Sequence, residues 1–209
     1  MMIRSIRFSL SVLTLGLAAC TTSAPVRHYT LLPAQEDVRP QRAQANFVVE
    51  VLPVAVPEYL NQPQLVVRQD DSGMLAVLDD ERWLGPLDDE IRNALSARLL
   101  DHLGIQDVAG LSWPGDVRVI RVKLQIRRLD AWPGKRAQLE AAWTLGDARD
   151  PSGARLVCQG RFEQPAAAGY PALVQAQQRL IAALADQVGQ DATTWSASRQ
   201  SPCGHSPVP

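Results

Sequence analysis

A single layered α/β domain, with a mixed and largely antiparallel sheet covered by two long amphipathic helices, follows from three features of this 209-residue chain. Residues 120–127 alternate apolar and polar side chains without a break. Two stretches, one opened by Pro86 and one by Pro171, repeat apolar residues at helical steps. The composition, 46% hydrophobic and 21% charged, suits one ordinarily packed core. It excludes a disordered acidic tail, a collagen-like repeat and a multi-span membrane protein. With 21 basic and 22 acidic side chains the net charge is −1, which speaks against a nucleic-acid partner. Three cysteines are too few for a scaffold built on disulfides.

In chain order, the first element is one the mature protein would not keep. Arg4 and Arg7 precede an apolar run, Phe8–Leu17, of ten residues. At ~1.5 Å per helical residue this cannot cross a bilayer core of ~30 Å. Small residues and Cys20 follow, so residues 1–19 read as an export signal. Leu17-Ala18-Ala19-Cys20 also resembles the bacterial lipobox, in which the thiol receives diacylglycerol, the chain is cut before it and the new amino group is acylated. The plainer reading is a secretory signal whose cleavage site happens to precede a cysteine. One acyl chain holds a protein to a membrane only marginally, whereas two or more hold it stably. Thr21 is not the aspartate that favours inner-membrane retention in bacterial lipoproteins, so the expected address is the periplasmic face of the outer membrane. Cleavage leaves 190 residues with 19 basic and 22 acidic side chains, a net −3. Residues 20–45, irregular over Thr21–Pro25 and Pro33–Asn46, read as the lipidated N-terminus and a linker.

The folded part is expected over residues 46–191. Phe47–Val56 is rich in β-branched residues and interrupted by Pro53, a strand with an edge or bulge near its end. Leu65–Arg68 and Met74–Leu78 flank Asp70-Asp71-Ser72-Gly73, a hairpin turn. Pro86 opens a helix with Asp88, Asp89 and Glu90 in its first turn, where the helix dipole favours negative charge. Leu87, Ile91, Leu95, Leu99 and Leu103 form its stripe, and Gly104 stops it. Next, Ile120, Val122, Leu124 and Ile126 define a buried strand face, with Arg121, Lys123, Gln125 and Arg127 on a wet, basic one. The chain turns at Asp130–Lys135, continues through Leu139, Ala141, Trp143 and Leu145, loops over 146–153, and returns as a third strand carrying Leu156, Cys158, Gly160 and Phe162. A last helix over Pro171–Gln190 presents Leu173, Ala176, Leu180, Leu184 and Val188. Residues 192–209, rich in Ser, Pro and Thr, read as a disordered tail.

Chemistry-bearing motifs are scarce. His28, His102 and His205 lack partners at metal-ligand spacing, apart from Cys203-Gly204-His205, which offers too few ligands for zinc. No Walker A, G-x-G-x-x-G, G-x-S-x-G or H-E-x-x-H motif occurs. The pairs Asp70-Asp71, Asp79-Asp80 and Asp88-Asp89 fall in turns or at a helix start, where capping accounts for them. The residues thus point to no catalytic group, no metal and no cofactor other than the lipid on Cys20. Cys158 and Cys203 are an even pair in an oxidising compartment; they either form one disulfide or remain a small buried hydrophobe and a loose thiol.

Charge is segregated. Residues 79–90 hold Asp79, Asp80, Glu81, Asp88, Asp89 and Glu90 against Arg82. Residues 118–136 hold Arg118, Arg121, Lys123, Arg127, Arg128, Lys135 and Arg136 against Asp130. These are either two solvated faces or complementary patches that meet between copies in a homo-oligomeric ring. Arg121, Lys123 and Arg127 are the basic residues of interest. Trp132, at the expected hairpin tip, either contacts a partner or folds back onto the sheet edge.

Four motifs in order carry a family resemblance: His28-Tyr29-Thr30-Leu31-Leu32-Pro33, Val54-Ala55-Val56-Pro57-Glu58-Tyr59-Leu60, Trp83-Leu84-Gly85-Pro86-Leu87 with Ile91-Arg92-Asn93-Ala94-Leu95, and Gly169-Tyr170. The chain resembles the PqiC/YmbA-type lipoproteins, auxiliary components of ABC-type and MCE-type transport systems, over about residues 20–190. The resemblance implies a non-enzymatic, oligomeric outer-membrane lipoprotein that docks an MCE-domain tunnel protein, works with inner-membrane permease components and supports envelope integrity. The pair Cys158/Cys203 and the long tail are not part of that resemblance.

Overall fold

The computed structural model describes residues 25–33, 45–113, 116–199 and 203. In chain order these form β1 (Arg27–Tyr29), β2 (Phe47–Val51), a 3-10 turn (Glu58–Leu60), β3 (Gln64–Arg68), β4 (Leu75–Trp83), α1 (Leu87–Leu103), β5 (Arg118–Trp132), β6 (Arg136–Asp147), β7 (Arg155–Pro165) and α2 (Tyr170–Ala197). The fold is the expected layered α/β domain, with α2 packed on β5, β6 and β7 and α1 packed on α2.

The strands form two sheets where one was expected: a four-stranded sheet ordered β2-β5-β6-β7 and a three-stranded sheet ordered β1-β4-β3. The outer edge of β2 accounts for the division. Its Val49 amide donates to the Gln106 carbonyl and its carbonyl accepts from the Val108 amide, so no β2 edge is left there for the β3–β4 hairpin. In the larger sheet, β5, β6 and β7 are an antiparallel meander and β2 runs parallel to β5. Ile120, Val122, Leu124 and Ile126 are buried, facing Leu139, Ala141, Trp143 and Leu145 of the same layer. Each such aliphatic chain contributes about 1.5–3 kcal/mol by leaving water. Proline explains the end of β2. Pairing stops at Val51 and resumes beyond Pro53 as a bridge between Ala55 and Gln125, where the Ala55 amide donates to Leu124 O at 3.1 Å.

Helix α1 starts directly after Pro86, one residue later than a proline at its first position would give, and buries Leu87, Ile91, Leu95 and Leu99. Gly104, at φ 62°, closes it with its amide on the Leu100 and Leu99 carbonyls. Helix α2, 28 residues and therefore about 42 Å long, crosses α1 at Gly189. A Cβ there would meet the side-chain ends of Leu103 and Leu99, which would have to turn aside.

Two boundaries differ from the sequence reading. Residues 25–33 belong to the domain rather than the linker, because β1 pairs in parallel with β4 from Arg27↔Glu81 to Tyr29↔Trp83. The start of the proposed tail is helical: α2 runs to Ala197, and Ala192 and Trp195 extend the stripe of Leu184 and Val188 into the core. Thr193 and Thr194 return their hydroxyls to the carbonyls of Gly189 and Gln190 at 2.8 and 2.9 Å, so a polar composition is accommodated inside a helix. The signal over 1–19, Cys20, most of the linker, and residues 200–202 and 204–209 lie outside the described residues.

The molecule has two distinct ends. At the hairpin end, the β3–β4 turn, the β5–β6 turn, the close of β7 and the start of α2 come together: Trp132 Nε1 donates to Asp70 O at 3.3 Å, and the Ala166 amide donates to Lys135 O at 3.0 Å. At the tail end lie the start of β5, the β6–β7 loop and the end of α2, where Arg118 Nη1 reaches Ser196 O at 2.6 Å.

Candidate functional site

The strand nearest the proposed anchor is held by two buried carboxylates. Glu81 follows from the period of β4: Trp83 faces the core, so the residue two positions earlier does too. Its carboxylate accepts from Tyr29 OH at 2.6 Å and from the Arg27 guanidinium, whose Nε lies at 3.1 Å. Glu90, in the first turn of α1, accepts from Thr30 Oγ1 at 2.7 Å and from the Leu31 amide at 2.8 Å. Leu84 N donates to Tyr29 O at 2.7 Å, and Gln178 Nε2 donates to Thr30 O at 3.0 Å. Burial first, then the hydrogen bond to Glu81, pushes the Tyr29 phenol up to about 12. The charge of Glu81 acts in the same direction. This places two of the six residues of the acidic cluster, Glu81 (3% exposed) and Glu90 (7%), inside the molecule, so the cluster is not a continuous surface patch. Asp79 and Asp80 lie within β4 rather than in a turn.

The basic face of β5 is exposed, as expected for its alternate residues. Arg121 Nε is 2.6 Å from Glu50 Oε2, and Arg127 Nη1 is 3.3 Å from Gln159 Oε1. Lys123 stands between them on the same face. Asp130 is a buried strand residue, not part of a turn; it joins the two sheets through Arg68 Nε at 2.8 Å and pairs within its own strand with Arg128 Nη2 at 2.6 Å.

Trp132 is 5% exposed and folded back against the β3–β4 hairpin, which removes it as a partner contact. The Arg136 and Arg68 guanidinium carbons lie 4.4 and 5.8 Å from its ring centroid. A tryptophan near a turn says nothing in sequence about which way its ring lies; the two arginines decide it.

Cys158 and Cys203 are joined by a disulfide across 45 positions, fixing the chain beyond α2 to the edge strand β7. Arg199 reinforces this with Asp147 at 2.8 Å and Asp150 at 2.9 Å, its guanidinium over the Trp195 ring. Ser152 lowers the titration of Asp150 by hydrogen bonding, as Ser72 does for Asp70. His28 is exposed on β1; the side chain of His102, and His205, lie outside the described residues. Among the described residues no group of three or more His, Cys, Asp or Glu is placed to hold a metal ion, and no helix is long and apolar enough to cross a membrane.

Comparison with known proteins gives these features a context. The family model described as "ABC-type transport auxiliary lipoprotein component" matches residues 29–189. Two curated relatives, each named intermembrane transport lipoprotein PqiC, from Escherichia coli K12 and Shigella flexneri, are 29% identical over 98 residues. That is 46% of this chain and 52% of theirs, so the chain spans about half the length of the curated relatives it matches. A crystal structure of a Xanthomonas campestris protein from the DUF330 family superposes with a TM-score of 0.63 at 17% identity, covering 83% of this chain and 100% of that one. A crystal structure of an uncharacterized protein gives 0.62 at 19%, covering 81% and 99%. At those identities the two structures speak for the fold. The family match begins at Tyr29, within the latched strand, and ends inside α2 at Gly189 where the helices cross. The chain is similar to the lipoproteins named PqiC and belongs to the ABC-type transport auxiliary lipoprotein component family.

Proposed function

We propose that this lipoprotein is the outer-membrane subunit of an MCE/ABC-type intermembrane lipid-transport system. Cys20, carrying diacylglycerol and an N-acyl chain, is the tether to the periplasmic face of the outer membrane. The domain is a non-enzymatic adaptor that docks an MCE-domain tunnel protein, which inner-membrane permease components energise, and so supports envelope integrity. The family match over residues 29–189 carries this reading, and the printed name of the curated relatives, intermembrane transport lipoprotein, supports it. The lipobox-like Leu17-Ala18-Ala19-Cys20 supports the anchor.

Co-purification of the native protein from detergent tests the role. A tunnel-forming MCE protein in the eluate is the expected result. A monomer holding a small molecule or a cell-wall fragment would replace this reading with a stand-alone binding lipoprotein.

The same subunit is proposed to work as a homo-oligomer through the basic face of β5. Reversing Arg121, Lys123 and Arg127 to glutamate is expected to lower the assembly mass in light scattering. These side chains are exposed, so the fold should survive the change. An unchanged mass would reject this interface.

A further inference from the structure

We infer that the hairpin end of the molecule is a membrane-contact surface, seated on the phospholipid bilayer that receives the lipids of Cys20, with the β3–β4 hairpin as its foot. The inference rests on the proposed lipidation of Cys20 and adds to it an orientation and a contact. Its first support is chain length. Arg27, the first residue of β1, is seven positions after Cys20. At about 3.4 Å per extended residue, that leash reaches no more than roughly 25 Å. A free leash running to β2 at Phe47 would reach roughly 90 Å. The short leash applies because β1 is latched: Glu81 holds Arg27 and Tyr29, and Glu90 holds Thr30 and Leu31.

Direction is the second support. β1 runs parallel to β4 and starts opposite Glu81, so its N-terminal end points back toward Leu75 and the β3–β4 turn. Pro25 and Arg27 line an open cleft of about 460 Å³ with Val77 and Tyr170, which puts the entry of the chain beside the start of α2. The tail end lies at the other terminus of that helix, about 42 Å along its axis.

The third support is the side chains displayed there. Met74 is 53% exposed at the turn; Leu75 and Val77 follow on β4, and Val26 precedes β1. On β4 these two apolar residues point outward, where a strand flanking a solvated face ordinarily carries polar groups. Lys135 is exposed in the neighbouring β5–β6 turn, and the β3–β4 turn itself carries Asp70 and Asp71, the latter paired with Arg136 at 3.7 Å. Charges at the turn therefore balance, and the apolar side chains of Met74, Leu75, Val77 and Val26 are what would enter a surface of acyl chains. Asp79 and Asp80 line the cleft with Arg27, farther along β4 than the tip.

Site-directed spin labelling of the lipidated protein in vesicles of phosphatidylethanolamine and phosphatidylglycerol tests this. One label replaces Met74 (Met74→Cys). A control replaces Leu111 (Leu111→Cys), also exposed and in the segment that packs beside the start of β5. Mass spectrometry of each sample first establishes acylation of Cys20. The expected result is a several-fold higher ratio of oxygen to water-soluble nickel-chelate accessibility at 74 than at 111. Adding Glu81→Ala together with Glu90→Ala, which removes both carboxylates that hold β1, should shrink that difference. Equal ratios in acylated protein, or a higher ratio at 111, would overturn the membrane contact while leaving the anchor intact. Absence of acyl mass would instead overturn the reading of Cys20 on which it depends.

Discussion

The two ends of the domain are fastened by different means. At the tail end one covalent bond, Cys158–Cys203, pins the chain beyond α2 to β7, and the Arg199 guanidinium bridging Asp147 and Asp150 pins it to the end of β6 and the β6–β7 loop. At the hairpin end nothing is covalent. Two carboxylates hold β1, and Trp132 under two arginines, with the Asp130 pairs, holds the hairpins together. A disulfide secures the chain beyond α2, while β1 is held by hydrogen bonds and ion pairs that can release and rebind.

The largest expected effect breaks the hairpin end. Trp132→Ala removes a buried indole and leaves Arg68 and Arg136 without their ring. It should cost about 3–5 kcal/mol in urea unfolding, with exchange of the β3–β4 amides rising before that of the β6 amides.

Breaking the tail end should cost slightly less. Closing a loop across 45 positions is worth about 4 kcal/mol in the chain-entropy account, and measured values commonly fall lower. Cys158→Ala with Cys203→Ala is expected to lower stability by about 2–4 kcal/mol. In hydrogen exchange it should loosen residues 195–199 and leave the Leu31 amide protected. Loss of protection at both ends would show that they are coupled rather than independent.

Glu90→Ala is a smaller change. It leaves the Leu31 amide and the Thr30 hydroxyl without their acceptor and should cost about 1–3 kcal/mol. Protection should vanish at Leu31 while the tail end is unaffected.

The smallest effect is a pH dependence. The Tyr29 phenol titrates higher in the folded protein, at about 12 against an ordinary value of 10.0. Its contribution is therefore present below pH 10 and is lost as pH rises toward 12, because the unfolded chain ionises first. Tyr29→Phe should flatten the stability profile in that window and leave it unchanged near neutrality.

How much of this was legible in the sequence follows from what periodicity can and cannot encode. The strict alternation over 120–127 and the leucine steps after Pro86 translate directly into β5 and α1, because each is a local pattern facing one core. Two sheets instead of one was not legible, since it depends on residues 106–108 occupying the edge of β2, a contact between distant segments. Strand β1 is three residues long, too short for a period, and its place is set by Glu81 and Glu90, more than fifty positions away. The signal that was available is the spacing of Glu81 and Trp83, which puts a carboxylate on a buried face and so demands a partner. The end of α2 was obscured by Thr193, Thr194 and Ser196, although Val188, Ala192 and Trp195 keep the helical step. Direction of the Trp132 ring was invisible for a similar reason: it is settled by Arg68 from another hairpin.

The anchor can be read from one molecule. Intact-mass and N-terminal fragment spectra of the native protein extracted from its own membranes should begin at Cys20, with diacylglyceryl and N-acyl masses on that residue and residues 1–19 gone. A chain that retains those residues, or that starts at an unmodified cysteine and is released by osmotic shock without detergent, would contradict the account.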